Sequence, residues 1–335
     1  MIRSFLNTDT PFLAKLWHDH HLAFHSKSAC PVSVWDQCVL SKPFFHSNEL
    51  QLAINAAGIP VGFVHFGFSS NEDGTGMSGS EAIVHKICVA PQADEDAIAA
   101  ALLDRAVSEL RARGAVHCNA LGTTEANAFY LGVGEGDNLM GVVAKDTRTQ
   151  RWLSHAGFVP TRPTECWELD LSTFRSPMDR TQIGIRRTCT VGRLLDEDTH
   201  AWWLSSVLGH CEQIRFNLVL RSPPKVESEI MFWFPDPTIA GVDSSVVRLW
   251  LPEVPVVDDA RERFVYLMAE SLRQLQQEKR RAVRTFATAD QQRTITLLGR
   301  LGFRSVEHGV VYAANLAKEG KAIAPIACEK RDQSF

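Results

Sequence analysis

Three histidines near the start of the chain have a spacing that could serve metal chemistry. His18, His21 and His25 lie at i, i+3 and i+7 in the stretch "WHDHHLAFH", so a helix would place them on about one face. Imidazoles on one face can be metal ligands, but no carboxylate or cysteine partner can be assigned to complete the set. The sequence therefore predicts no metal site.

Two strand-like segments carry polar residues that could move a proton. His85 lies in "EAIVHKICVAP", and His117 and Asn119 share one side of "AVHCNAL". An imidazole changes its protonation state near neutral pH, so either histidine could act as a base, while a histidine packed in a strand is the alternative. The two-residue period divides the first segment into one side with Ile83, His85, Ile87 and Val89 and another with Val84, Lys86 and Cys88.

Alternating strands and helices must position these residues. The first half reads as "MIRSFL", a helix in "TDTPFLAKLWHDHHLAF", a hairpin in "LQLAINAAGIPVGFVHFGF", the strand "EAIVHKICVAP", and then "DEDAIAAALLDRAVSELRARG". In the last stretch apolar residues recur at three- and four-residue steps, which predicts an amphipathic helix ended by Gly114. The order indicates an α/β unit with a mixed sheet.

A repeated unit indicates that this architecture occurs twice. "RTQRWLSHAGF" (148–158) returns as "RTITLLGRLGF" (293–303), and Arg148 matches Arg293 without a gap. Each copy predicts an amphipathic helix closed by a left-handed glycine, a phenylalanine entering a strand, and then a second strand. Coincidence is the alternative, because a helix followed by glycine and an aromatic residue is common.

The length of the chain suits two domains. It has 335 residues, 45% of them hydrophobic, which can supply a core for each half. The polar stretch "STFRSPMDRTQIG" fits a linker. We therefore predict an N-terminal domain over 1–172, a C-terminal domain over 185–317 and a tail over 318–335.

The composition argues against several classes of protein. The net charge is −4 and no long Lys/Arg run occurs, so no nucleic-acid surface is predicted. No apolar run is long enough to span a bilayer, and the start "MIRSFLNTDTPF" has no signal-peptide core, so we expect a cytoplasmic protein. The eight cysteines include no C-x-x-C pair, which favours buried thiols over disulfides or zinc.

The element order and one motif resemble the GNAT superfamily, the acyl-CoA-dependent N-acetyltransferases. "ICVAPQADEDAIAAALLDRAV" resembles the family's strand-loop-helix core, V-x-P-x-x-[RQ]-x-x-G-x-[GA]-x-x-L-L. The residues on matching positions are Val89, Pro91, Ile98, Ala99, Leu102 and Leu103. The resemblance implies an α/β fold of two GNAT-like domains, each a mixed, mostly antiparallel sheet flanked by helices, with a degenerate second domain.

The resemblance also implies a site for acetyl-CoA as co-substrate. In the family, the loop and first helical turn after the fourth strand hold the pyrophosphate with backbone N–H groups. The corresponding cofactor residues are Ile87, Cys88, Val89, Asp94, Glu95, Asp96, Ala97, Ile98, Ala99 and Asn119. Asp94 replaces the motif's Arg or Gln and Ala97 its first glycine. The second half has no glycine in "LPEVPVVDDARERFVYL", so it is expected not to bind CoA in this manner.

The resemblance leaves the general acid to be found outside the closing helix. Many members have a tyrosine there as proton donor, where this chain has Leu153 and, in the second copy, Leu298. The glycine-rich stretch 122–143, which the second half lacks, carries Glu125, Asn127 and Tyr130. It would suit a lid over the cleft, with Tyr130 as the acid. A loop that covers the domain interface is the alternative.

The predicted bases lie on the fourth strand. Glu81 opens that strand where the family often has a glutamate, and His85 lies further along it. In the family the first helix borders the acceptor site, so its histidines are expected to contact substrate rather than zinc.

The predicted function is acyl-CoA-dependent N-acetyltransfer to an unknown small-molecule or peptide amine by the N-terminal domain. The alternative is a catalytically inactive tandem GNAT-like pseudoenzyme that binds a ligand or a protein, since the cofactor loop departs from the motif. The expected partners are the amine and, as one option, a second copy of the chain in a homodimer. Neither nucleic acid nor a membrane is expected as a partner.

Overall fold

The structure, a computed structural model, describes residues 1–22, 30–92, 94–123, 129–131, 133, 139–177, 179–194, 202–235 and 245–317. Its helices are α1 (Thr10–His21), α2 (Val32–Trp35), α3 (Glu95–Ala112), α4 (Thr147–His155), α5 (Arg180–Thr188), α6 (Trp202–Leu208), α7 (Asp258–Gln277) and α8 (Gln292–Arg300). Its strands are β1 (Ile2–Ser4), β2 (Leu50–Ile54), β3 (Pro60–Ser70), β4 (Met77–Val89), β5 (His117–Ala120), β6 (Val142–Val143), β7 (Val159–Asp170), β8 (Cys189–Leu194), β9 (Cys211–Arg221), β10 (Pro224–Pro235), β11 (Val246–Trp250), β12 (Ala282–Thr288) and β13 (Arg304–Asn315).

The described strands form one sheet. Its order is β1-β2-β3-β4-β5-β13-β7-β12-β11-β10-β9-β8, and β6 pairs with β13. Most neighbours are antiparallel, but β4 and β5 are parallel, as are β11 and β12. Parallel neighbours need a crossover, which α3 supplies in the first half and α7 in the second. The same strand-helix-strand unit therefore occurs twice.

The strands that follow the repeated helices are exchanged between the halves. β7 comes from the first copy but pairs with β12 of the second half, and β13 comes from the second copy but pairs with β5 of the first half. β7 and β13 also pair with each other. The prediction of two strands after each helix was wrong, because each copy has one strand of 12 residues.

The ends of the repeated helices follow the prediction. Gly157 and Gly302 have φ angles of 84° and 88°, which is the left-handed conformation that a glycine adopts without a Cβ penalty. Phe158 and Phe303, the next residues, are buried. The predicted linker, in contrast, runs into α5, whose N-terminus is capped by the Asp179 carboxylate accepting from the backbone N–H of Gln182.

The core has three parts. One lies between the sheet and α3, one lies between the sheet and α7, and the third covers the opposite face of the sheet and draws residues from both halves. The third contains Trp17 and Trp35 with Trp203 and Trp233. The described residues of the stretch 122–143 include Phe129, Tyr130, Leu131, Val133, Leu139 and Met140, which are buried in this shared core. They lie where the interface-loop alternative expects them, whereas Glu125 and Asn127 fall outside the described residues.

A β-bulge in β4 changes which side chains share a face. His65 of β3 is opposite Lys86, but the next residue, Phe66, is opposite Val84, so His85 is an extra residue. Val84 therefore packs with Ile87 and Val89 in the core beneath α3. The strict two-residue alternation predicted for this strand was wrong, because it put Val84 on the other side.

The cysteines of the described ranges are free, as the composition favours. Six of the seven described cysteines are buried thiols, and Cys211 is partly exposed. Within the described ranges no group of three or more His, Cys, Asp or Glu side chains is arranged to hold a metal ion. None of the helices in that part of the chain is long and apolar enough to cross a bilayer.

Candidate cofactor clefts and the buried polar network

The fork between β4 and β5 is where the sequence predicts the cofactor. The strands pair from Glu81 with His117 to Val84 with Ala120, and the backbone N–H of Leu121 donates to the Val84 carbonyl. After this point they no longer pair. The fork is therefore open along the last residues of β4.

An arginine of α4 fills the mouth of this fork. Arg148 donates from Nε to Glu95 Oε1 at 3.1 Å, and from Nη2 to Glu95 Oε2 at 2.7 Å and to the Val89 carbonyl oxygen at 3.0 Å. The side chains of Arg148 and Glu95 are only 16% and 17% exposed. These hydrogen bonds join the end of β4 to the first turn of α3.

A second set of contacts covers the same turn. Arg151 donates to Asp96 Oδ1 at 2.6 Å, and the Trp152 indole N–H donates to the same oxygen at 2.7 Å. These two hydrogen bonds lower the pKa of Asp96. A bound pyrophosphate would have to displace the Arg148 and Arg151 side chains, which cover this turn. The described residues at this loop therefore do not fit an acyl-CoA pyrophosphate.

The other predicted cofactor residues are divided between core and surface. Ile87 of β4 is buried beneath α3, Ala99 and Ile98 of that helix belong to the same part of the core, and Cys88 is buried in the shared core. Asp94 and Ala97 are exposed. Asn119 faces a different cavity, which it shares with Glu81 and His117.

A buried network of polar side chains lies deeper in the first half. His20 Nε2 is 3.3 Å from Asp146 Oδ2, and the Thr149 N–H donates to Asp146 Oδ1 at 3.0 Å. Burial raises the pKa of Asp146, but these hydrogen bonds outweigh it and hold the pKa at about 2. Asp146 is therefore an ionised N-cap of α4 that joins this helix to α1.

A lysine of β4 extends the polar network towards α1. His21 Nδ1 donates to the Trp17 carbonyl at 2.7 Å, so its Nε2 accepts from Lys86 Nζ at 2.9 Å. Burial lowers the pKa of Lys86. Sequence reasoning did not identify Lys86 or Asp146, although an aspartate just before a helical run is a capping signal.

The histidine face predicted for α1 is described only in part. His20 and His21 are buried, but His18 is exposed. The buried positions of this helix include Leu13, Leu16 and Trp17, and His18 lies away from the stripe that they form. His25 lies outside the described residues.

The predicted acid, Tyr130, and one predicted base, His85, both contact His65. His65 Nδ1 lies 2.9 Å from the Tyr130 hydroxyl, and the His65 and His85 ring centroids are 4.7 Å apart. Burial lowers the pKa of His65 to about 3 and that of His85 well below its ordinary value, and it raises that of Tyr130. Both imidazoles are therefore neutral and the phenol keeps its proton.

Glu81 is separated from His85 along β4. Four residues of strand amount to about 13 Å. Glu81 lies with His117 and Asn119 in the separate cavity, and His85 is packed against Phe129 in the shared core. The three predicted catalytic residues therefore do not form one site.

The second half has an open cavity at its own fork. β11 and β12 pair from Val246 to Arg248 with Ala282 to Arg284, and the Thr285 hydroxyl donates to the Leu249 carbonyl at 3.0 Å. Beyond these contacts lies a cavity of 540 Å³. Its walls include Trp250, Leu251, Val254, Phe286, Gln292 and Thr294. The volume lies in the range of small-molecule sites.

An adjoining pocket of 420 Å³ lies between α7 and α8 and carries cations. Arg261, Arg293 and Arg300 line it together with Glu262, which accepts from Arg300 at 2.6 and 2.9 Å, and Arg293 also lines the larger cavity. Among the described residues Arg293 has one long ion-pair contact, 3.9 Å to Glu253, with the side chains 53% and 90% exposed. The repeat matches Arg293 with Arg148. Arg148 closes the first fork, whereas its counterpart Arg293 lines the open second fork.

The first turn of α7 provides hydrogen-bond donors beside the cations. The N–H groups of the first helical turn have no acceptor within the helix, and no side chain caps this end. Its acidic residues, Asp258 and Asp259, pair with Arg261 and Arg263. Each fork therefore has two acidic residues in the first turn of its helix, and the forks differ in that the second has an open, partly apolar cavity, although sequence reasoning expected no CoA there for lack of a glycine.

Comparison with known proteins supports the fold assignment. No family model and no curated protein matches the chain. Solved structures do match. A glucosamine N-acetyltransferase region of a fungal multi-domain GH3 beta-N-acetylglucosaminidase aligns with 94% of this chain at 13% identity and a TM-score of 0.66, and the alignment spans 38% of that protein.

Two further structures align over nearly their whole length. A tandem GNAT protein from the clavulanic acid biosynthesis pathway aligns with 94% of this chain and 98% of its own at 12% identity and a TM-score of 0.62. A GNAT protein from Sphaerobacter thermophilus aligns with 94% of this chain and 95% of its own at 11% identity and a TM-score of 0.60. The chain therefore has the tandem GNAT fold, with mixed α/β architecture as predicted.

Proposed function

We propose that the chain is an acyl-CoA-dependent N-acetyltransferase and that acyl-CoA binds in its C-terminal half. The observation that carries this proposal is the 540 Å³ cavity at the fork of β11 and β12. The fork of the first half is closed by Arg148 and Glu95 instead. This proposal moves the cofactor from the N-terminal loop, where the sequence motif predicts it, to the equivalent place in the second half.

The residues of the second fork divide into two groups by what they would hold. The first-turn N–H groups of α7 and the Arg293 guanidinium would hold the pyrophosphate, since both present positive charge to an anion. Trp250, Leu251 and Phe286 would line the apolar arm. When bound, acyl-CoA supplies a thioester carbonyl that an amine can attack.

No side chain of the cavity is assigned as the base. Glu253 lies 3.9 Å from Arg293, at the pyrophosphate end, whereas the pantetheine arm would carry the thioester away from it, so the proton of the acceptor ammonium would pass to water. Leu298, at the family's tyrosine position, is buried and cannot donate a proton. The closing proton transfer is therefore assigned to solvent. The acceptor class is a small-molecule or peptide amine.

A second candidate is a tandem protein that binds a ligand without acetyl transfer. The observation that favours it is the absence of a donor side chain at both repeated positions, because Leu153 is buried as well. The two candidates share the cofactor cleft and differ in turnover. Cofactor binding and acetyl transfer must therefore be measured separately.

Thermal unfolding with and without acetyl-CoA tests the site in a matched pair of variants. Ala97 and Ala260 are each the third residue of their helix, α3 and α7. A ligand at 100 times its Kd stabilises the folded state by about 2.7 kcal/mol. We expect acetyl-CoA to raise the Tm of the wild type and of Ala97→Trp, and to leave that of Ala260→Trp unchanged.

The opposite pattern would return the cofactor to the N-terminal half. No shift for the wild type at saturating acetyl-CoA would contradict the transferase proposal altogether. Where binding is found, release of the CoA thiol with a panel of amines measures transfer, and glucosamine belongs in that panel because of the similar fungal region. Binding without thiol release from any amine would favour the second candidate.

A further inference from the structure

A cavity outside both forks is built by three adjacent strands from opposite ends of the chain. Glu81 of β4 is opposite His117 of β5, and His117 is opposite Asn315 of β13. The three side chains therefore form one row across the sheet. β13 reaches this place only because of the strand exchange, so the last strand completes a site on the first half.

The shape of this cavity comes from small residues beside the row. Ala313 and Ala314 form part of its lining and add no side chain beyond Cβ, while Asn119 and Val159 complete the wall. The volume is 460 Å³, enough for a small molecule. The cavity is thus open above the strands, and its lining is polar along the row of Glu81, His117 and Asn315.

The hydrogen-bonding capacity of the row is not used up by the described residues. Glu81 has no ion-pair partner within the described ranges, and Asn315 accepts from the Ala317 N–H at 2.9 Å with Oδ1, which leaves its amide N–H groups for other acceptors. A carboxylate can only accept, whereas an imidazole and amides both donate and accept. The row therefore offers a place for a cation next to places for hydroxyl groups.

We propose that this cavity binds a small molecule that carries a primary ammonium group beside hydroxyl groups, such as an amino sugar. The ammonium would pair with Glu81, and the hydroxyl groups would bond His117, Asn119 and Asn315. Adjacent strands lie about 4.8 Å apart, so the row spans roughly 10 Å, a length that suits a single sugar ring.

The site binds its ligand without acetyl transfer. The fork on the same half is closed by the Arg148 contacts, and the proposed cofactor cleft is lined by β11, β12 and α8 instead. Because strands of both halves contribute, a bound ligand also stabilises the pairing of β13 with β5. The inference does not depend on the proposed transferase activity.

Calorimetric titration of the full chain with D-glucosamine and with D-glucose tests the proposal. Glucose lacks the ammonium group and keeps the hydroxyls. We expect glucosamine to bind at least tenfold more tightly than glucose, and Glu81→Gln to remove that difference. Glu72→Gln changes an exposed glutamate in the turn after β3 and is expected to leave both affinities unchanged.

A second variant asks whether the exchanged strand contributes. Asn315→Ala is expected to weaken glucosamine several-fold while the preference over glucose persists, because Glu81 is still present. Unfolding curves of each variant show that it is folded. Glucosamine binding that is unchanged in Glu81→Gln, equal affinities for the two sugars, or no detectable glucosamine binding by the wild type would each overturn the proposal.

Discussion

Gly309→Val is expected to destabilise the folded chain by about 3 kcal/mol or more. A Cβ at this position of β13 would lie 2.6 Å from the Met140 carbonyl oxygen, 2.8 Å from Thr164 Oγ1 and 3.0 Å from the Val142 carbonyl oxygen. Two of these atoms belong to backbone, so they cannot move aside as a flexible side chain would. The branched side chain of valine adds further atoms to the same crowded place.

The measurement is denaturant unfolding, in which a lower midpoint at unchanged slope reports lost stability. Gly299→Ala is the control, because a Cβ on that glycine of α8 meets no atom within 4 Å. An alanine within a helix is expected to be neutral or to stabilise by about 0.5–1 kcal/mol. If Gly309→Val unfolds at the wild-type midpoint, β13 does not lie between β7 and β6, and the strand exchange is refuted.

The doubled unit could be predicted from the sequence, but the exchange of strands could not. The helix ends are local features, since Gly157 and Gly302 must adopt a conformation that other residues avoid. Which strand pairs with β5 is a long-range choice. β7 and β13 follow similar helices and could each lie there, so the choice depends on contacts between halves that a local pattern does not contain.

The β4 bulge shows a second limit of the sequence pattern. One extra residue, His85, reverses the alternation of every residue after it. No glycine or proline marks the position, so the sequence reads as a regular strand. The consequence was a wrong assignment of Val84.

The candidate cofactor site differs from the prediction because the deciding contacts are distant in sequence. The motif around Val89 describes one loop, and it cannot show that Glu95 pairs with Arg148, which lies 53 residues after Glu95. The second half lacks the motif glycine, yet its fork is open. Backbone donors and a cavity depend on strand divergence rather than on a particular residue type. The sequence pattern therefore indicates them only weakly.

Lys42→Met is expected to stabilise the chain by about 2–4 kcal/mol at neutral pH. Lys42 is 6% exposed in the shared core, where Nζ donates to the Phe129 carbonyl and lies over the Phe129 ring. Burial lowers its pKa from 10.5 to about 7, and the nearby Cys211 and Cys38 thiols oppose this only in part. No carboxylate in the described part of the chain pairs with it.

The size of the effect follows from the free-energy penalty of burying the protonated Lys42 amine. A fall of the pKa from 10.5 to about 7 corresponds to a penalty of roughly 5 kcal/mol. Methionine has a similar shape and no charge, so it removes that penalty. It also leaves the Phe129 carbonyl without its donor, which costs about 1–3 kcal/mol. The net change is therefore stabilising.

The pH dependence separates this explanation from better packing alone. Because the folded pKa lies below the unfolded one, the unfolded chain binds the extra proton between pH 7 and pH 10.5, and wild-type stability attributable to Lys42 rises with pH in that window. The advantage of Lys42→Met should therefore be full below about pH 7 and shrink towards pH 10. Lys15→Met, at a side chain that is 70% exposed, should show neither effect. A constant advantage at all pH values would mean that packing, not the buried amine, sets the difference.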